Sequence, residues 1–381
     1  MTSPRRSDVV VIGAGIAGAS VAAELAPNRR VVVLEMEDQP GYHTTGRSAA
    51  VFAECYGNRV VRALTRASRA FLEAAPPGAE APLLAPRGWL TIARPDQLDR
   101  LAGLERELVS HGGKVRRLGE AQARDLVPIL RPGHVAAALL DASAMDVDVH
   151  ALHQIYLRQL RQSGGETVTG ARAVALERAD GSWHVRTTRG DFAAPIVVDA
   201  AGAWADEIGR LAGALAIGLV PMRRTALIVD LPAGVRAARW PLTVDADETF
   251  YFKPEGGKLL ASPADETPSP PCDARPEDLD VAVAVDRLVA ACDLEVSHVG
   301  RRWAGLRSFV ADRSPVAGFD PRAPGFFWLA GQGGYGIQTA PALSRVAAAL
   351  VRGEPVPPDV AAEGVTAAQL APDRLSGSAA R

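Results

Sequence analysis

Apolar residues first cluster at 8–12, a β-branched run too short for a helix, and the pattern predicts a buried strand. Small apolar residues at 16–26 have helical composition and 30–35 is a second apolar strand, so the chain opens with a βαβ unit. Helical periodicity returns at 58–75, 95–110 and 147–162, with a strand at 89–93. A meander is predicted from strands at 171–178 and 183–188, separated by the turn Ala179-Asp180-Gly181, and from a turn at Arg189-Gly190-Asp191 leading into the buried strand 196–200. Residues 215–263 are strand-rich with turns such as Pro254-Glu255-Gly256-Gly257, which predicts a separate antiparallel sheet. A Pro-rich stretch at 267–276 precedes a helix at 277–292; strand, Gly-rich turn and helix follow, and the tail beyond about Pro372 is expected to be loose.

Composition narrows the class. At 381 residues the chain exceeds the roughly 250–300 at which a single core stops growing, so two interlocked domains are expected. Apolar residues at 48% and charged residues at 23% are ordinary for a folded protein. A net charge of −2, with both signs interspersed, argues against a nucleic-acid partner. The odd set Cys55, Cys272 and Cys292 has no CxxC spacing, which suggests neither a disulfide framework nor a zinc site and fits a reducing cytoplasm. His150 and His153 stand three apart on a predicted helix, but no third ligand presents itself and no metal is expected. The N-terminal apolar stretch is interrupted by glycines and Glu24, so neither a signal peptide nor a transmembrane segment is expected.

The first strand runs into Gly13-Ala14-Gly15-Ile16-Ala17-Gly18, and Glu35 ends the second strand 22 residues beyond Gly13. Gly13 permits the tight turn, Gly15 lets the backbone approach a pyrophosphate, and Gly18 lets helix and strand pack closely. The helix N-terminus then faces phosphates, while Glu35 accepts hydrogen bonds from ribose hydroxyls and repels a 2′-phosphate. Strand, loop, helix and acid together predict dinucleotide binding. A polar, small-residue segment from Gly41 to Ala50 begins six residues after Glu35 and can run beneath a long cofactor. Two further strand–Gly–helix joints follow, Val197-Val198-Asp199-Ala200-Ala201-Gly202-Ala203-Trp204 and Gly331-Gln332-Gly333-Gly334-Tyr335-Gly336-Ile337, which is more than NAD needs.

In these four segments the chain resembles the D-amino-acid oxidase and dehydrogenase group of flavoproteins, which includes glycine and sarcosine oxidases. Residues 41–50, 303–312 and 332–339 resemble the bacterial D-arginine dehydrogenase branch most closely. The resemblance implies an α/β fold, α+β overall: a Rossmann-like FAD-binding domain built from residues 1–86, 145–220 and 305–381, with an inserted antiparallel-sheet substrate domain from 87–144 and 221–304. It implies noncovalent FAD, because the cysteine that flavinylated members carry near Arg307 and Ser308 is missing here. The cofactor residues it implies are Gly13, Gly15, Ala17, Gly18, Glu35 and Met36, then Thr44, Thr45, Gly46, Arg47, Ser48, Ala49 and Ala50. Val174 is added as a backbone contact on the adenine side, together with Gly202, Gly333, Gly334, Tyr335, Gly336, Ile337 and Gln338.

The implied reaction is oxidative deamination of a D-amino acid, by hydride transfer from Cα to the flavin N5 and hydrolysis of the imino acid to a 2-oxo acid and ammonia. A buried substrate carboxylate requires a donor fork, for which Arg224 and Arg307 match the family's clamps. Tyr56 and Tyr251 stand where similar enzymes place phenols against that carboxylate, and the Gly334 carbonyl is positioned to accept from the amine. Val51 and Trp89 replace a histidine and a glutamate of the arginine-specific pattern, so a cationic side chain is expected to lack a counter-ion and apolar ones to be favoured. A glycine, sarcosine or other secondary-amine oxidase is the alternative, and a flavin-binding protein without turnover a further one. The electron acceptor, whether oxygen, quinone or respiratory chain, stays open, as does attachment of this cytoplasmic protein to the inner-membrane surface.

Overall fold

The computed structural model describes residues 3–74, 81–110 and 112–376. The tail read as loose begins with a helical turn, Pro372–Leu375, whose Leu375 is buried; residues 377–381 lie outside the described residues.

The apolar runs at both ends of the chain meet in one sheet. Its strands are β1 (Val9–Ile12), β2 (Val31–Leu34), β3 (Glu166–Val168), β4 (Ile196–Asp199), β5 (Val316–Phe319) and β6 (Phe326–Ala330), in the spatial order β3-β2-β1-β4-β6-β5. All neighbours are parallel except β5 and β6. Strands buried on both faces read as continuous hydrophobic runs, and β1 is buried at every position. On one face lie α1 (Ile16–Leu25), α2 (Arg59–Glu73), α3 (Val149–Gln162) and α4 (Gly336–Val351), with α1 packed against α3 and α4. The small residues of α1 permit that close approach. The other face is covered by a three-stranded meander, Ala173–Ala179, Ser182–Thr187 and Gly190–Ala194. The sequence reading closed this meander with 196–200. Instead Pro195, which has no N–H to donate, separates the third meander strand from β4 at the centre of the parallel sheet.

The second sheet draws on two distant stretches of chain. Trp89–Ala93, Ala137–Asp141 and Val115–Gly119 come from one, and Leu242–Asp245, Tyr251–Glu255, Lys258–Ser262 and Val220–Val229 from the other. Pairing is antiparallel throughout except where Leu242–Asp245 lies parallel to Trp89–Ala93, which joins the two stretches. The strand Val299–Phe309 pairs along the whole of Val220–Val229 and carries this sheet beyond residue 305, where the expected domain division falls. Among the described residues no helix is long and apolar enough to cross a membrane.

The turn into α1 is the tightest joint. A Cβ on Gly18 would stand 1.8 Å from the Gly13 carbonyl oxygen. Gly18→Ala should therefore push α1 off β1 and destabilise the protein by about 1–3 kcal/mol. Thermal unfolding without added ligand measures this, and an unchanged midpoint would show that the helix accommodates the methyl group.

Candidate active site

Between β1 and α1, Gly13 adopts φ +101, and a Cβ there would lie 2.4 Å from the Ala200 carbonyl oxygen. Glycine is required for this turn. The Ala14 N–H donates to Glu35 at 2.8 Å, and the other oxygen of that carboxylate accepts from the Glu37 N–H at 3.0 Å. Burial raises the pKa of Glu35, and the two amide bonds only partly oppose it. Behind the loop, buried His153 is hydrogen-bonded to the Ala14 carbonyl at 2.9 Å while His150 is exposed, so the two histidines face different surroundings.

The segment after β2 joins the loop to the second sheet. Thr45 Oγ1 accepts from the Ile16 N–H at 2.9 Å, and Thr44 Oγ1 donates to the Leu306 carbonyl at 2.7 Å. The Arg47 guanidinium donates to the Ala304 and Ala274 carbonyls at 3.0 and 2.9 Å and pairs with Asp273. Arg47 was expected at the cofactor; its side chain serves mainly as this tie.

A cavity of about 650 Å³ lies along these elements. Gly13, Gly15, Ala17, Glu35 and Met36 line it, as do Thr44, Thr45, Arg47, Ser48 and Ala49. Val174 and Gly202 add to the lining, and Gly333, Gly334, Gly336 and Ile337 bring the positive end of α4 to it. Gly18 and Gly46 lie outside the lining and pack against the Gly13 and Gly41 carbonyls. Tyr335 stands behind it, its ring 4.9 Å from that of Tyr56 and its phenol pushed up to about 12 by burial. Two lining groups missed by sequence reasoning are buried and, among the described residues, have no hydrogen-bond partner, Ser308 Oγ and Gln332 Nε2. An unpaired buried polar group costs about 1–3 kcal/mol, so this wall suits a ligand with a polar edge, as a flavin ring has. Both residues lie in segments the sequence singled out, but only burial distinguishes them from their neighbours.

Arg224, Tyr251, Arg307 and Gly334 border both this cavity and a smaller one of about 70 Å³. Arg224 lies opposite Gly305 and Arg307 opposite Met222 in the same ladder, which puts both arginines on one face of the sheet. Arg224 is held by the Asp265 carbonyl at 2.7 Å and Glu266 at 3.1 Å. Arg307 donates to Tyr56 Oη at 3.3 Å, leaving guanidinium donors directed at the cavities. Burial opposes its charge, but the Tyr56 and Tyr251 oxygens outweigh this and its pKa lies above the usual arginine value. A Cβ on Gly334 would stand 2.9 Å from the Arg307 Cζ, so glycine makes room for the guanidinium.

Val51, Tyr56 and Trp89 line the smaller cavity together with Ala50 and Gln338. The Trp89 ring centroid is 5.0 Å from that of Tyr56, and its indole N–H donates to Thr91 Oγ1 at 3.1 Å. Glu248 lines the same cavity. The cavity expected to lack a counter-ion for a cationic group therefore has a carboxylate in its lining, from a turn far along the chain that comparing Val51 and Trp89 with the arginine-specific pattern does not reveal.

Glu35 generates a pH prediction. Ribose hydroxyls donate to an ionised carboxylate, so dinucleotide retention should weaken as pH falls through the raised Glu35 range, above the ordinary glutamate value. Glu35→Gln should lower affinity and flatten that dependence. Cofactor dissociation constants across pH 4.5–7 measure it, and an identical profile in the variant would count against the assignment.

The sequence model of the FAD dependent oxidoreductase family matches residues 8–350. The glycine oxidase of Geobacillus kaustophilus is 28% identical over 365 residues, covering 91% of this chain and 93% of that protein. Its crystal structure superposes with a TM-score of 0.82 at 22% identity, over 92% of this chain and 95% of that one. The iminodiacetate oxidase of Chelativorans sp. BNC1 superposes with a TM-score of 0.77 at 25% identity, over 91% of this chain and 96% of that one. The family match spans nearly the whole of both sheets and both cavities, and the chain belongs to the FAD dependent oxidoreductase family.

Proposed function

We propose that this flavoenzyme oxidises the Cα–N bond of a small amino acid of the glycine type, glycine itself or an N-substituted glycine such as sarcosine. The observation that carries the reading is the Arg307 guanidinium, partnered by Tyr56 and otherwise directed at the junction of a large cavity and a small one. A charge so placed calls for an anion, and a carboxylate suits the planar fork. Similarity to a glycine oxidase and an iminodiacetate oxidase supports a glycine-like core.

Arg307 and Arg224 would hold the substrate carboxylate, with the Tyr56 and Tyr251 hydroxyls as neighbouring donors. The Gly334 carbonyl would accept from the amine and so orient the Cα–H. FAD, when bound, supplies the hydride acceptor. The protein's contribution is then placement and exclusion of water, since loss of hydride from Cα needs a neutral amine and a fixed geometry more than a strong side-chain base. Oxidation leaves a C=N bond, which water hydrolyses to the oxo acid and the free amine.

Small D-amino acids are the second reading, favoured by the apolar wall of Val51, Trp89, Leu242 and Val244. The arginine-dehydrogenase-like reading that favoured apolar side chains narrows here to small ones. About 70 Å³ is roughly half of the ~150 Å³ that holds a benzene ring.

Glycine, sarcosine and D-alanine should bleach the bound flavin anaerobically faster than D-phenylalanine or any L-amino acid. Faster bleaching by D-phenylalanine would sink the size argument, and no bleaching by any amino acid would sink the reading. Arg307→Met should cost about 2–5 kcal/mol in kcat/KM with carboxylate substrates, roughly one and a half to four decades. Near-normal kinetics would place the carboxylate elsewhere. The purified protein should be yellow and release intact FAD on acid denaturation, because none of Cys55, Cys272 and Cys292 is among the large cavity's lining residues. Flavin retained on the unfolded chain would contradict this.

A further inference from the structure

The small cavity has opposite charges in its lining. Arg307 contributes the positive one, Val51, Trp89, Leu242 and Val244 are apolar, and Glu248 contributes a carboxylate from the exposed turn between Leu242–Asp245 and Tyr251–Glu255. Nearby cations are engaged elsewhere: Arg224 and Arg313 pair with Glu266, and Arg287 donates to the Thr249 and Pro263 carbonyls. Among the described residues no ion pair includes Glu248, so its charge is available to whatever enters the cavity.

The turn is built to put Glu248 there. Glu248 has φ +54, in the left-handed region that residues with side chains seldom occupy. Its N–H donates to the Asp245 carbonyl at 2.8 Å. The buried Asp245 carboxylate accepts from Thr249 Oγ1 at 2.8 Å, the Asp247 N–H at 3.1 Å, Gln97 Nε2 at 3.0 Å and Arg94 Nη1 at 3.1 Å. Strain of this kind persists where the surroundings over-determine it, and it concentrates at ligand sites. Ala264, also in the left-handed region at φ +52, lines the same cavity.

We propose that Glu248 is a charge filter of the substrate pocket: it disfavours amines whose distal end carries a second carboxylate and accepts those that end in a neutral or cationic group. The clamp arginines attract monocarboxylates and dicarboxylates alike, so the discrimination falls to the like-charge repulsion that Glu248 exerts on the distal group. The proposal rests on the amine-oxidation reading for the identity of the substrates. The charge selection is measurable by binding alone.

The test uses the FAD-loaded protein, titrated with acetate and with malonate while the flavin absorbance is followed, at low and at high salt. Wild type should favour acetate. Glu248→Gln should shift the acetate/malonate ratio of dissociation constants about tenfold towards malonate, Glu248→Asp should keep the wild-type ratio, and high salt should shrink the difference. Under turnover, the ratio of kcat/KM for iminodiacetate to that for sarcosine should rise similarly in Glu248→Gln. An unchanged acetate/malonate ratio in Glu248→Gln, or the same shift in Glu248→Asp, overturns the filter, because a purely structural role would not follow charge. If no amine is oxidised and the acetate/malonate ratio still shifts, the filter stands and the proposed reaction falls; oxidation without a shift has the opposite meaning.

Discussion

The site depends on one short turn that is bound to both sheets. Thr45 accepts from the first turn of α1, while Thr44 and Arg47 donate to the Leu306 and Ala304 carbonyls of the long strand in the second sheet. The dinucleotide loop and the arginine ladder come from distant parts of the chain, and this turn fixes their separation. Hydrogen bonds to buried backbone groups are costly to leave unmade, so the two layers do not drift independently. Gly41, at φ +77 with His153 directly behind it, starts the turn from a position where a Cβ would meet the imidazole at 2.9 Å.

Within that frame the two arginines of the ladder differ in how their charge is met. A guanidinium enclosed by protein is stable only if anions or dipoles compensate for its lost hydration. Arg224 has that compensation from Glu266 and the Asp265 carbonyl, whereas Arg307 has phenol oxygens and the space beside them. The asymmetry gives the arginines different tasks. Arg224 is held in place by protein groups, and Arg307 has donors left facing the cavities. Gly334 makes the arrangement possible by lacking the atom that would occupy the guanidinium's space.

Much of the fold was legible because local patterns carry it. The opening βαβ unit, α2, α3 and the helix Asp278–Ala291 each follow from periodicity and caps, as with Asn58 and Asp148, whose side chains accept from the first turns of α2 and α3. The strands Val115–Gly119 and Ala137–Asp141 were not read, since the first is mostly exposed and the second has no alternation. The third meander strand was hidden in what looked like a turn at Gly190, and the ladder through residue 305 was hidden because its exposed arginines, Arg301 and Arg302, interrupt its apolar positions. The candidate site divides in the same way. Loop glycines, Glu35, Arg224 and Arg307 stand in motifs, but Ser308, Gln332 and Glu248 carry no local mark of their surroundings.

The sequence by itself determined that the chain folds a βαβ dinucleotide loop with an acid after its second strand, because glycine spacing, strand length and helix start are set by neighbours within a few tens of residues. It also determined the family, through segments long enough to be specific. Tertiary structure alone decided that a parallel pairing of Leu242–Asp245 with Trp89–Ala93, in the middle of the second sheet, brings Glu248 and Trp89 to the lining of one cavity. The charge of the small cavity follows from that pairing. A side chain's electrostatic surroundings are fixed by what long-range strand pairing places across from it, and strand pairing between segments about 150 residues apart leaves no periodicity in either.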